Sequence, residues 1–382
     1  MISSDNLKEY LESFSLNLVK TNNSRWIDQK VSFDNLSIVS DCIINYTENI
    51  DNIFTRNELQ KSTYSNDLIM SEYKKPSTSL PSASNEYDKF FGQPLKTLSQ
   101  SNILEEKSKG REFIYNVSNK ILLKEIANNP NFSLKYLIKY IEKFIKESKL
   151  SKSFDDFFHY QDSNYYKKLK DDFTEYIIKN TPINGKVECH RIFIKVLNPI
   201  SFDRSKLGTY RGNISKDEIT KDLLVYNRKN WRDIHKPKSI SRKKFLDENQ
   251  TYRNTYLFSK IKTSMKQIHG NKSEMSLQSN GTEAHHIFKS SDYPDLFDMP
   301  ENIILLTPDE HRLFAHPNQN FNYTDPSYQK KCLIKKLENI IQYPDFYNLS
   351  DFTKVLSRGY KEKIDNHNID YLRTFIANRK LP

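Results

Sequence analysis

A chain of 382 residues is long enough for two or three domains with cores, and 23 Tyr with 23 Phe exclude an aromatic-poor disordered polymer. With 59 Lys and Arg against 48 Asp and Glu, the net charge of +11 suits a polyanionic partner, although lysine-rich surfaces can simply be soluble ones. Three distant cysteines (Cys42, Cys189, Cys332) exclude a disulfide framework and a zinc knuckle, and no stretch approaches the ~18 apolar residues of a membrane span. A reducing cytoplasm is therefore expected. Met1-Ile-Ser-Ser-Asp5 has no secretory pattern, and eight glycines predict a helix-rich fold with few tight hairpins.

Leu36, Val39, Ile43, Tyr46 and Ile50 recur at helical spacing over 33–50, after a cap at Asp34. Thr55-Arg-Asn-Glu58 is a capping box that opens a short second helix. The polar stretch 74–84 reads as a loop. A third helix over 85–102 turns Phe90, Phe91, Leu95 and Leu98 inward, and Pro94 either starts or kinks its second half. Lys107-Ser-Lys-Gly110 followed by alternating Phe113, Tyr115 and Val117 predicts a hairpin with a basic tip. Three helices and a basic hairpin resemble a winged helix. That resemblance implies a third helix in the major groove, with Lys89, Lys96 and Gln100, and a wing on phosphate, with Lys107, Lys109 and Arg111. The plain alternative is a helical packing domain with a solvated basic turn.

Residues 133–148 are amphipathic: Leu134, Leu137, Ile138, Ile141 and Ile145 lie on one side, and lysines largely on the other. In 186–245, the cations Arg204, Arg211, Arg228 and Arg232 with several lysines interleave with Phe193, Phe202, Tyr210, Tyr226 and Trp231. Cations for phosphate beside aromatic and amide groups predict a DNA-facing surface; a folded connector with exposed cations is equally open. Leu224–Asp233, the Gly208–Gly212 turn and Arg25–Gln29 resemble segments of HNH-type restriction endonucleases.

The densest chemistry lies near the C-terminus. Thr282-Glu-Ala-His-His-Ile-Phe288 reads as a short strand, 289–301 as a loop, and Asn302–Leu306 as a second strand. Thr307-Pro-Asp-Glu310 then opens a helix, with Pro at its first position and Glu three residues after the cap. Imidazoles at His285 and His311 can converge on a divalent ion as the helix packs back across the hairpin. His286 is then free to take a proton from water. Asn302 would fix the loop and hold that base in the useful tautomer. A helix followed by a polar helical tail closes the chain.

This strand, loop, strand, helix order, with its His-His pair, Asn302 and His311, resembles the HNH, or ββα-metal, nucleases over roughly residues 276 to 320. The resemblance departs at Ala315, where many relatives carry a further ligand. His316 comes one residue later, off the ligand face of a continuing α-helix, so it is the less secure third ligand.

The expected fold is α+β and mainly helical. Its parts are a winged-helix-like module (1–125), a helical connector (126–180), a basic-aromatic region (181–260), a nuclease unit (261–345) and a helical tail (346–382). The expected function is site-specific cleavage of double-stranded DNA, as in a type II restriction endonuclease, with Mg²⁺ as the expected ion and Mn²⁺, Ni²⁺ or Zn²⁺ as alternatives. Partners would be double-stranded DNA, a second copy of the chain if both strands are cut together, and a DNA methyltransferase protecting host sites; no membrane is expected. The rivals are a non-specific nuclease or nuclease toxin, and a DNA-binding regulator without activity.

Overall fold

The computed structural model describes residues 4–21, 26–73, 75–110, 112–226, 242–277 and 279–381. Helices dominate, with three small antiparallel sheets among the described residues. The chain falls into two compact units, one up to Arg253 and one of Asn254–Pro382. The divisions expected at 125 and 180 both fall inside the first unit.

The first unit is built on the helix Phe33–Asn49, whose Phe33, Leu36, Val39, Cys42 and Ile43 are buried. Its cap position is Ser32 rather than the expected Asp34, which lies in the first turn and accepts from Ser32 Oγ (2.7 Å) and the Tyr226 amide (2.8 Å). The helix Ser84–Gln100 runs unbroken through Pro94. Proline there cannot donate to the carbonyl four residues back, and the Asn35 side-chain amide supplies a hydrogen bond to Phe90 O instead (3.2 Å). Thr55 and Glu58 form the predicted capping box on the helix Arg56–Lys61. Trp26 is fully buried against Phe144, ring centroids 3.5 Å apart, so this part of the N-terminal segment serves packing.

Strands β1 (Ile53–Thr55), β2 (Leu104–Lys109) and β3 (Glu112–Val117) form an antiparallel sheet in the order β1-β3-β2, with Phe54 opposite Tyr115. Its hairpin turns at Gly110, whose φ of +64° is one that side-chain-bearing residues rarely adopt. Further on, β4 (Leu207–Tyr210) pairs with β5 (Asn213–Glu218).

The second unit holds β6 (Glu283–His286) and β7 (Ile303–Leu306), paired antiparallel with His285 opposite Ile304 and His286 opposite Ile303. All four residues of β7 are buried, as a strand covered on both faces requires. The cover comes from Ile261 and Met265 of the helix Arg242–Ile268, and from the helices Pro326–Gln342, Leu349–Tyr360 and Ile369–Asn378. The expected polar tail is thus corrected. Phe352, Val355, Leu356, Leu372, Phe375 and Ile376 belong to the same core as the hairpin, because the apolar stripes of these two helices need a partner.

One contact ties that tail to the histidine strand. A Cβ at Gly359 would lie 2.1 Å from Cζ of Phe288, two residues beyond His286. Gly359→Ala is therefore expected to cost about 1–3 kcal/mol of stability by overpacking. Denaturant unfolding reads this, and an unchanged midpoint would show that the Phe288 ring has room to move.

Candidate metal centre

Strand alternation sends Glu283 and His285 to one face of β6 and His286 to the other. His285 therefore faces the turn that follows β7, where Thr307 and Glu310 form the predicted capping box: Glu310 N donates to Thr307 Oγ1 (3.1 Å) and Thr307 N to Glu310 Oε2 (2.8 Å). The next residue is His311.

The helix then departs from the expected α form. Glu310–Ala315 is π-helical, and His316 N donates to His311 O (3.1 Å), a bond spanning five residues. This corrects the expected place of His316. The widened turn returns the fifth residue to the face of the first, so His285, His311 and His316 lie with their ligand atoms all within 4.8 Å of one another. Their ring centroids form a triangle with sides of 5.2, 5.0 and 5.0 Å.

Second partners fix which nitrogens face the centre. His311 Nδ1 lies 2.5 Å from Glu283 Oε2, and His316 Nδ1 lies 2.7 Å from the Tyr323 carbonyl. Carbonyl and carboxylate oxygens accept, so both Nδ1 atoms donate and Nε2 is the ring nitrogen left to face the centre. Burial would raise the Glu283 carboxyl, but its bonds to His311 and Arg312 outweigh this and hold it below its ordinary value. His285 is 3% exposed, and its buried Nε2 has no hydrogen-bond partner. Burial, then the neighbouring imidazoles, push His285 well below its ordinary pKa, and burial lowers His316. Three converging imidazoles, one with a buried nitrogen lacking a partner, fit a divalent metal ion.

His286 has a different environment. Its Nε2 lies 2.9 Å from the Phe297 carbonyl, so Nε2 carries the proton and Nδ1 is left as the acceptor. Phe258 and Phe297 stack on the ring at 5.0 and 4.9 Å. Burial lowers its pKa, partly offset by the Phe297 carbonyl and Asp298. Asn302 does not orient this imidazole, contrary to expectation. It is fully buried and pins the intervening loop, accepting from Phe288 N (2.8 Å) and donating to Phe288 O (3.0 Å) and Leu296 O (3.3 Å).

Sequence reading passed over Glu283, although its place two residues before His285 puts both on one face of the strand. The two backbone carbonyls leave no trace in residue identity.

The expected DNA contacts are only partly available. Lys89, Lys107 and Lys109 are exposed, Lys107 paired with Glu105 at 2.9 Å. Lys96 is tied to Glu106 at 2.6 Å and lies over the Phe113 ring, and Gln100 is half-buried. Arg204 reaches Asp155 at 3.6 Å and covers Phe158, whereas Arg211 is exposed at the β4–β5 turn over Tyr210. Of the interleaved aromatics, Phe193, Phe202 and Tyr226 are buried, so they belong to the core and not to a DNA-facing surface. Arg25, Arg111, Arg228, Trp231 and Arg232 lie outside the described residues.

No protein-family model, curated protein or solved structure matches the chain. Among the described residues, no helix is long and apolar enough to cross a membrane.

Proposed function

We propose that the C-terminal unit is a metal-dependent nuclease of the HNH type, and that the whole chain is a site-specific endonuclease for double-stranded DNA. The observation that carries this reading is the three-histidine cluster on one side of a strand, with a separately held fourth histidine on the other. His285, His311 and His316 would hold the ion through Nε2. When bound, it supplies a Lewis acid that stabilises charge on the scissile phosphate and the leaving oxygen.

His286 accepts the proton of the attacking water at Nδ1. The Phe297 carbonyl holds the opposite N–H and favours the imidazolium that forms, while the flanking rings of Phe258 and Phe297 restrict its rotation. An all-imidazole donor set favours Zn²⁺, Ni²⁺ or Mn²⁺ over the Mg²⁺ first expected, because Mg²⁺ prefers oxygen ligands.

Support for a DNA-reading role of the first unit is coarser. Helices before and after β1, a helix leading into the hairpin, and the strand order β1-β3-β2 are compatible with a winged helix. The exposed Lys107 and Lys109 on the hairpin suit phosphate. Cutting both strands would take a second copy of the chain or two visits.

Incubating plasmid DNA with the chain and a divalent metal tests the reading. Discrete fragments are expected; a smear would leave a non-specific nuclease, and retarded but intact DNA a regulator. A second test concerns the ligands. His316→Ala is expected to weaken metal binding as severely as His311→Ala, each by at least 10-fold as an order of magnitude. Calorimetric titration with Zn²⁺ measures both, and near-wild-type affinity in His316→Ala would remove it from the ligand set.

A further inference from the structure

The segment after the metal-site helix has an unusual composition. Asn318-Gln-Asn-Phe-Asn-Tyr323 consists of amides and aromatics only, and all six residues are exposed. Phe321 is 53% and Tyr323 48% exposed, so both rings have faces open to a partner. The segment carries no charge, so it is not built to grip phosphate. Side-chain amides and aromatic faces are what bases use, through hydrogen bonds to their edges and stacking on their rings.

The segment is also tied to the cluster by hydrogen bonds. Gln319 N donates to His316 O (2.9 Å), Tyr323 N to Asn320 O (2.9 Å) and Asp325 N to Ala315 O (3.0 Å). The Tyr323 carbonyl accepts the His316 Nδ1 proton (2.7 Å). Asn318 and Gln319 are both left-handed, with φ of 58° and 56°, a conformation that costs energy in a non-glycine residue and so needs the surroundings to impose it. The Phe321 ring lies 5.2 Å from that of His316 and 5.9 Å from that of His311. A strand whose phosphate sits at the three histidines has its adjoining bases within reach of this loop.

We propose that the 318–323 loop is a base-stacking platform beside the metal centre, and that the strand engaged there is single-stranded or locally unpaired. Phe321 and Tyr323 stack on unstacked bases, and the asparagines meet their edges. A paired, stacked duplex offers no free base face to these rings. The proposal rests on the nuclease reading for what lies at the cluster. It extends that reading by naming the form of nucleic acid engaged beside the cluster.

The test uses the full chain carrying His286→Ala, to prevent cleavage, and compares it with the same chain carrying Phe321→Ala and Tyr323→Ala. The probes are a fluorescent thymidine homopolymer and a fluorescent duplex, at raised salt so that phosphate contacts contribute little. The expected result is a loss of about tenfold or more in affinity for the homopolymer, little change for the duplex, and recovery with Phe321→Trp and Tyr323→Trp. Zn²⁺ affinity measured on each variant verifies that the cluster survives the changes. Equal homopolymer binding with and without the two rings would overturn the proposal. So would a change in oligomeric state alone, which would make the patch a contact between copies of this chain. If the loss on the homopolymer appears while wild-type protein never cuts DNA, the platform stands and only the nuclease reading falls.

Discussion

His286→Ala is expected to slow phosphodiester cleavage by about 10²–10⁴-fold, the range for losing a general base, while DNA and metal binding stay intact. The expectation follows from the separation of roles across β6. His285 joins the cluster on one face, and His286 lies on the other, bound to the Phe297 carbonyl and enclosed by Phe258 and Phe297. Removing its ring leaves the three candidate ligands with their partners Glu283 and Tyr323. Single-turnover cleavage with Zn²⁺ titration on the same samples separates chemistry from binding. Cleavage at the wild-type rate would mean that the base is another group.

Lys336→Met is expected to destabilise the second unit by about 3–5 kcal/mol, because it strands a buried carboxylate. Lys336 and Glu274 are both fully buried, and Lys336 Nζ lies 2.6 Å from Glu274 Oε2. Burial pushes the Lys336 pKa down, and the Glu274 carboxylate works against that shift. Asn339 Nδ2 donates to the same Oε2 (2.6 Å), Glu274 Oε1 accepts Leu305 N (2.8 Å), and Glu274 N donates to Leu305 O (2.9 Å). Glu274 thus stands where another strand would pair with β7, on the far side from His285. In the double variant Lys336→Met with Glu274→Gln, the amide can still accept from Leu305 N but leaves no buried charge. It is expected to recover a large part of the loss, and the cycle measures the coupling. A double variant no more stable than Lys336→Met would show that the charge pair is not what the site needs.

The parts legible in the sequence are those fixed by local chemistry. The Thr55–Glu58 and Thr307–Glu310 capping boxes, the glycine-tipped hairpin and the His-His strand answering Ile303–Leu306 each depend on neighbours a few residues apart. Sequence spacing puts His316 off the ligand face, because five residues along an α-helix turn about 140° away from the starting face. Only the π turn, tied by Asp325 N to Ala315 O, brings it back. Asn302 looked like a partner for the base, yet its side chain is spent on the loop backbone, and Phe297 O, which carries no sequence signature, takes that place. Phe193, Phe202 and Tyr226 read as surface aromatics because cations surround them in sequence. In the fold they sit in the core, as Tyr226 shows by hydrogen bonding to Glu86 at 2.5 Å and Asp34 at 2.8 Å.

On this reading, three imidazoles hold an ion that the chain needs in order to cut DNA. The most direct measurement strips the purified chain of metal, then follows plasmid cleavage while Zn²⁺ or Mn²⁺ is added back in known amounts. Cleavage is expected to be absent at the start, to rise with added metal, to level off at one ion per chain, and to be lost in His285→Ala. Undiminished cutting by the stripped chain, or a chain that binds one ion at these histidines and leaves every plasmid intact, would contradict it.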